Sequence, residues 1–130
     1  MIEENIFQLT APINYRCHVH RYYSGLSRLY IRVFKGQATI PSFYLMFSDV
    51  GYWEGSINWQ GANVCIAEAQ SCIDLMLETG VVGQAILQFP DAYASLTDNV
   101  RLYVFQSPPR PLRIIAGSAT LLTELPHHLR

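Results

Sequence analysis

One stretch of eight residues constrains this chain more than any other: Arg-Leu-Tyr-Ile-Arg-Val-Phe-Lys at positions 28–35. Leu29, Ile31 and Val33 alternate with Arg28, Tyr30 and Arg32. A period of two belongs to a strand, whose successive side chains point to opposite faces. The aliphatics take one face and the arginines the other. Residues 14–23, Asn-Tyr-Arg-Cys-His-Val-His-Arg-Tyr-Tyr, read as a second strand, and Ser24 and Gly25 supply the turn between the two. A hairpin follows, with Cys17 and Val19 joining the aliphatic face. Its other face collects Arg16, His18, His20 and Tyr22 from one strand and Arg28, Tyr30, Arg32 and Phe34 from the other.

Beyond the hairpin, Pro41 opens a third strand over residues 43–47, and residues 48–51 turn the chain. Residues 52–61 carry too much glycine for a helix, because an interior Gly costs about 1 kcal/mol there relative to Ala. They read as an irregular, bulged strand. One strong helix ends at Gly80, which suits the left-handed position after a helix terminus. Cys72, Ile73, Met76 and Leu77 fall on one stripe of it, Asp74 and Glu78 on the other side. Asn63 is a good N-cap type, so the helix is expected to begin at Val64. The alternative is a short strand over residues 64–66 and a helix starting near Ala67. Residues 84–89 fit either strand or helix, and Pro90 and Asp91 open a helical turn reaching Leu96.

Residues 101–106 and 112–122 read as strands. The proline-rich joint at 107–111 lacks donors for a ladder. Gly117 marks a bulge or a close approach. The first dozen residues form an arm or edge element, and the tail with His127 and His128 is expected to be mobile. The fold class is therefore α+β: an antiparallel β-sheet packed against one main α-helix, with a C-terminal β-hairpin, in a single domain spanning residues 1–130. Leu29, Ile31, Val33, Leu45, Ile73, Met76 and Leu77 should be buried together.

Composition narrows the class further. The chain is 50% hydrophobic and only 15% charged, against about 25% charged in ordinary soluble domains. That excludes disorder, which needs high charge and few apolar groups. It leaves much uncharged surface, the condition under which a homo-oligomer, most simply a dimer, is expected. No apolar run approaches the roughly 18 residues of a membrane span. The acidic start lacks the basic and apolar regions of a secretory signal, which points to the cytoplasm. Cys17, Cys65 and Cys72 lack metal-site spacing and read as reduced, buried thiols. The net charge of −1 is unevenly spread: residues 41–100 hold seven acids and no Lys or Arg, while residues 1–40 hold five bases. One side of the domain is positive and the other negative, unless the two sets interleave in space.

Two regions carry candidate function. The first is the polar hairpin face: Arg16, His18, His20, Tyr22, Arg28, Tyr30 and Arg32. Arginines among aromatics suit a protein interface, and they also suit single-stranded nucleic acid, where cations meet phosphates and rings stack on bases. His18 and His20 at i and i+2 point one way, but no third ligand is nearby, so no metal is assigned. The second is the segment from Asp49 to Gly61, with Trp53, Glu54, Asn58, Trp59 and Gln60 as candidate ligand-binding residues. Trp faces and amides suit a sugar or a flat heterocycle, and Asp49 with Glu54 could serve as acid and base. The alternative is that both Trp residues anchor the core. No nucleophile elbow, phosphate-binding Gly-rich loop or cofactor motif is present, so no catalytic residue and no cofactor are assigned. The expectation is a non-enzymatic binding or regulatory domain that self-associates through protein–protein contacts. A sugar- or small-molecule-binding enzyme and a single-stranded nucleic-acid binder are the alternatives.

Overall fold

Which strands are apolar on one face and which on both decides the architecture. The structure, a computed structural model, describes residues 2–106 and 111–129. In chain order the strands are β1 (Tyr15–Tyr23), β2 (Arg28–Lys35), β3 (Phe43–Ser48), β4 (Tyr52–Glu54), β5 (Asn58–Gln60), β6 (Val64–Ile66), β7 (Arg101–Phe105), β8 (Leu112–Ala116) and β9 (Ser118–Leu122). Helices α1 (Ala69–Thr79) and α2 (Pro90–Asn99) lie between β6 and β7. The strands form two antiparallel sheets, β5-β1-β2-β3-β9 and β4-β8-β7-β6. The class is α+β, with α1 as the main helix and β7–β8 as the C-terminal hairpin.

The two sheets pack face to face. Leu29, Ile31, Val33, Leu45 and Phe47 of the five-stranded sheet meet Val64, Ile66, Phe105, Leu112 and Ile114 of the other in one buried cluster. The opposite face of the four-stranded sheet, carrying Leu102, Val104 and Ile115, is covered by Ile73, Leu75 and Met76 of α1, with Tyr93 and Leu96 of α2 behind. Leu29, Ile31, Val33 and Leu45 are thus not buried together with Ile73, Met76 and Leu77. A sheet separates them, and the expected single core is two cores. In β7, Leu102 to Phe105 are all buried, as happens where both faces of a strand are covered.

Several local readings change for physical reasons. Residues 64–66 are a strand and α1 starts at Ala69: pairing with β7 satisfies this backbone where an early helix turn would not. Gly80 ends α1 in the left-handed conformation, φ 79°. Residues 52–60 are not one bulged strand but two strands in different sheets. Gly55 makes the crossing at φ +137°, and a Cβ there would clash with the Leu112 side chain and lie 3.0 Å from its Cα, so any other residue is strained. The chain crosses again between β8 and β9 at Gly117, pressed against the Asp49 side chain. Residues 84–88 settle as a 3-10 turn, and α2 opens on Pro90. The N-terminal arm pairs along β6 through Glu3 and Ile66. The proline joint, except Pro111, lies outside the described residues.

The C-terminal tail does not hang free. Leu125 and Leu129 are buried over Tyr30, with Tyr23, Tyr44, Met46 and Leu122 around them. The ring of His128 packs edge-on against Tyr23 at 5.7 Å. His20 Nε2 is 3.0 Å from the Leu129 carbonyl oxygen. An apolar patch on an otherwise polar sheet face is what draws the tail down.

Candidate functional site

A β-bulge reshapes the polar hairpin face. Val19 pairs with Ile31, but Arg21, not His20, pairs with Tyr30. His20 is the extra residue, and beyond it the alternation flips. Tyr22 falls opposite Leu29 of the core face and Tyr23 opposite Arg28, so the expected place of Tyr22 on the polar face is corrected: Tyr23 takes it. Tyr30 does lie on that face but is completely buried beneath the tail. It cannot stack on a base. The face expected to be one continuous surface is divided: Arg16, His18 and Arg32 lie on one side of the tail-covered Tyr30 and Arg28 on the other, while Arg21 sits exposed at the end of the Tyr30 row.

On the first side the register builds a groove. Gln60, Arg16 and Phe34 line up across β5, β1 and β2, and Asn58, His18 and Arg32 form the next row. With Cys17 and Trp59 below, they line a depression of ≈450 Å³, a size typical of small-ligand sites. Arg16 is held in place: its Nε donates to the Gly36 carbonyl at 2.8 Å, its Nη2 to that of Ala38 at 2.6 Å, and its guanidinium sits 4.9 Å from the Phe34 ring centre. The Arg32 guanidinium lies 6.0 Å from the same ring. Among the described residues, neither arginine meets a carboxylate.

Two buried donors around the groove lack acceptors: Arg32 Nε and, on the core side of β5, the indole Nε1 of Trp59. An unsatisfied buried donor costs about 1–3 kcal/mol, and such groups call for an explanation. Burial first, then the charges of Arg32 and His20, hold His18 below its ordinary 6.5, so it is neutral at pH 7. Burial pushes the Cys17 thiol up to about 12, and its Sγ donates to the Gly61 carbonyl. That thiol is no nucleophile.

The candidate ligand-binding set from the aromatic segment is scattered by the crossing at Gly55. Asn58 and Gln60 line the groove. Trp59 turns its ring to the inter-sheet core, edge-on against Phe105 at 5.0 Å, and borders the groove from that side. Trp53 packs against the inter-sheet core. Glu54 points away from the groove and pairs with Arg113 at 2.6 Å. Asp49 sits against Gly117, four residues further along the strand that carries Arg113, so Asp49 and Glu54 are roughly 13 Å apart by strand rise and do not share a site. Among the described residues, no three His, Cys, Asp or Glu side chains gather as metal ligands. The residues that sequence reasoning did not place beside Arg16 and Arg32 are Asn58 and Gln60. Their only signal was the alternation Asn58-Trp59-Gln60 in a three-residue strand.

Charge is layered as well. The exposed acids Asp74 and Glu78 of α1 and Asp91 and Asp98 of α2 cover one side of the molecule, and neither helix carries a base. Arg16, Arg21, Arg28 and Arg32 occupy the opposite outer face. The helix acids and the hairpin arginines do not interleave, while Glu54 of the acidic stretch pairs with Arg113. No family model, curated protein or solved structure matches the chain, and no helix among the described residues is long and apolar enough to cross a membrane.

Proposed function

We infer that this domain binds a small anionic ligand in the groove between β5, β1 and β2, without catalysing its conversion. The observation that carries the reading is the convergence of Arg16 and Arg32 on one depression with no carboxylate among its described lining residues. Guanidinium groups offer planar forks of N–H donors to oxyanions. The acidic helices on the far side and the basic face here would draw an anion to the groove. A long polynucleotide fits less well, because the tail interrupts the basic face between Arg32 and Arg28.

The test is an NMR titration of labelled protein with acetate, malonate, sulfate and phosphate at constant ionic strength. At least one anion should shift amides near residues 16–18, 32–34 and 58–60, and Arg32→Gln should abolish the shifts. Silence toward all four anions would remove the reading.

A second property finds support in β9. This strand pairs on one side only, with β3, and its sequence Ser-Ala-Thr-Leu-Leu has neither charge nor proline. Edge strands left so unprotected are templates for pairing. They favour self-association through two β9 edges, in keeping with the expected dimer. The three unpaired, buried thiols fit a reducing compartment, which supports a cytoplasmic location.

A further inference from the structure

The donor inventory of the groove says more about the ligand than its sign of charge. Arg32 makes no hydrogen bond to any described residue; its Nε is buried, and its two terminal nitrogens are left for a ligand in the depression. Arg16 commits two nitrogens to backbone carbonyls and keeps its remaining donors. The exposed Asn58 amide makes no hydrogen bond among the described residues. A carboxylate offers about four lone-pair sites and one negative charge. It would leave donors unmet and one guanidinium uncompensated. A terminal phosphate brings three acceptor oxygens and a charge of about −1.5 to −2 near neutral pH, which matches two arginines. Beside it, neutral His18 can supply a further N–H.

The depression is larger than one phosphate group, and the remainder is lined by the Phe34 ring and the Asn58 amide, with the Gln60 side chain, whose amide donates to the Ile13 carbonyl, at its edge. That lining suits a short hydroxylated carbon skeleton, whose hydroxyls exchange hydrogen bonds with the amide and whose C–H face rests on a ring.

We propose that the groove binds a small phosphomonoester of the sugar-phosphate class, its phosphate held between Arg16 and Arg32. This rests on the reading of the groove as an anion site. The organic part lies toward β5, over Asn58. The tail sets the inner limit of the site, because Tyr44 and Leu122, which continue the His18–Arg32 row, pack beneath it.

The experiment is isothermal titration calorimetry on the full chain at pH 7.5 and fixed ionic strength. The probes are glucose 6-phosphate, inorganic phosphate, malonate, acetate and a phosphoserine peptide. Glucose 6-phosphate should bind at least about tenfold more tightly than malonate or acetate, a difference of about 1.4 kcal/mol. Arg32→Gln and Arg16→Gln should each weaken it by about tenfold or more, while Arg21→Gln, opposite Tyr30 and outside the groove lining, should leave it unchanged. Circular dichroism and thermal melting of each variant check that it folds. Malonate binding as tightly as glucose 6-phosphate, with loss in Arg32→Gln, overturns the phosphate assignment and leaves the anion site standing. A phosphoserine peptide binding more tightly than glucose 6-phosphate keeps the phosphate chemistry but overturns the small-molecule source in favour of a phosphorylated partner. Equal loss in Arg21→Gln shows attraction by bulk charge and overturns the proposal. No binding of any probe overturns the proposal and the anion site together.

Discussion

His18 shows how one residue reports on its surroundings. Partial burial and the positive neighbours Arg32 and His20 disfavour its protonated form in the folded protein. The unfolded chain, where the imidazole titrates near 6.5, binds that proton more readily. Stability therefore falls as pH drops below about 6.5 and stops falling once the depressed native value is passed. His18→Gln removes this term. Urea midpoints of wild type and His18→Gln measured at pH 7.5, 6.5 and 5.5 should diverge, with wild type losing more on acidification. Parallel loss in both would show that His18 titrates normally. A negative charge beside Arg32 would offset the repulsion that adds to burial in disfavouring the protonated form of His18.

Among the elements, the C-terminal tail had the weakest sequence signal and has one of the clearest structural roles. It has no period, and its two histidines suggested solvent. Yet Leu125 and Leu129 close a patch made by Tyr23, Tyr30, Tyr44, Met46 and Leu122. Leu129 is 2% exposed, so Leu129→Ala should cost about 2–5 kcal/mol, as for other buried leucines. Tyr30→Phe is the complementary case. The Tyr30 hydroxyl is buried without a hydrogen-bond partner, so deleting it while keeping the ring should leave the urea midpoint unchanged or raise it. A loss near 1 kcal/mol or more in Tyr30→Phe, or none in Leu129→Ala, would show that the tail does not rest on this face.

For the whole molecule, the four-stranded sheet separates an inter-sheet core from a helix-facing core. Ile31 and Ile73 are both essentially buried, at 0% and 1% exposure, but belong to different clusters. Each truncation to Ala should cost about 2–5 kcal/mol, and the double variant should lose the sum of the two within about 0.5 kcal/mol. A larger coupling would mean one continuous core. Assembly belongs to this scale too. If β9 edges pair, light scattering should give twice the chain mass at high micromolar concentration, and Thr120→Lys at that edge should return the monomer. A monomeric wild type under those conditions would rule the edge pairing out.

The sequence by itself determined the elements whose period is local. The alternation at 28–35 gave β2 and its two faces, the 72–77 stripe and Gly80 gave the body and end of α1, and Pro90 gave the start of α2. It also placed Arg16, His18 and Arg32 on one polar face, the nucleus of the groove. One signal of the larger plan was readable but passed over: Leu102 to Phe105 are apolar at every position, which a strand covered on one face does not need. Tertiary structure alone decided the rest. A three-residue strand such as β5 or β6 is too short to show a period, and its sheet is chosen by which partner completes its hydrogen bonds. The bulge at His20 is set by the pairing with β2, yet it moves Tyr22 off the polar face. The crossing at Gly55 sends Trp53 and Glu54 to one sheet and Asn58 to Gln60 to the other, because backbone passes Leu112 without strain only where no Cβ intervenes. Alternation along a strand fixes which side chains share a face. Only the packing of distant segments fixes what covers that face, and here the tail covers Tyr30 and leaves Arg16 and Arg32 open.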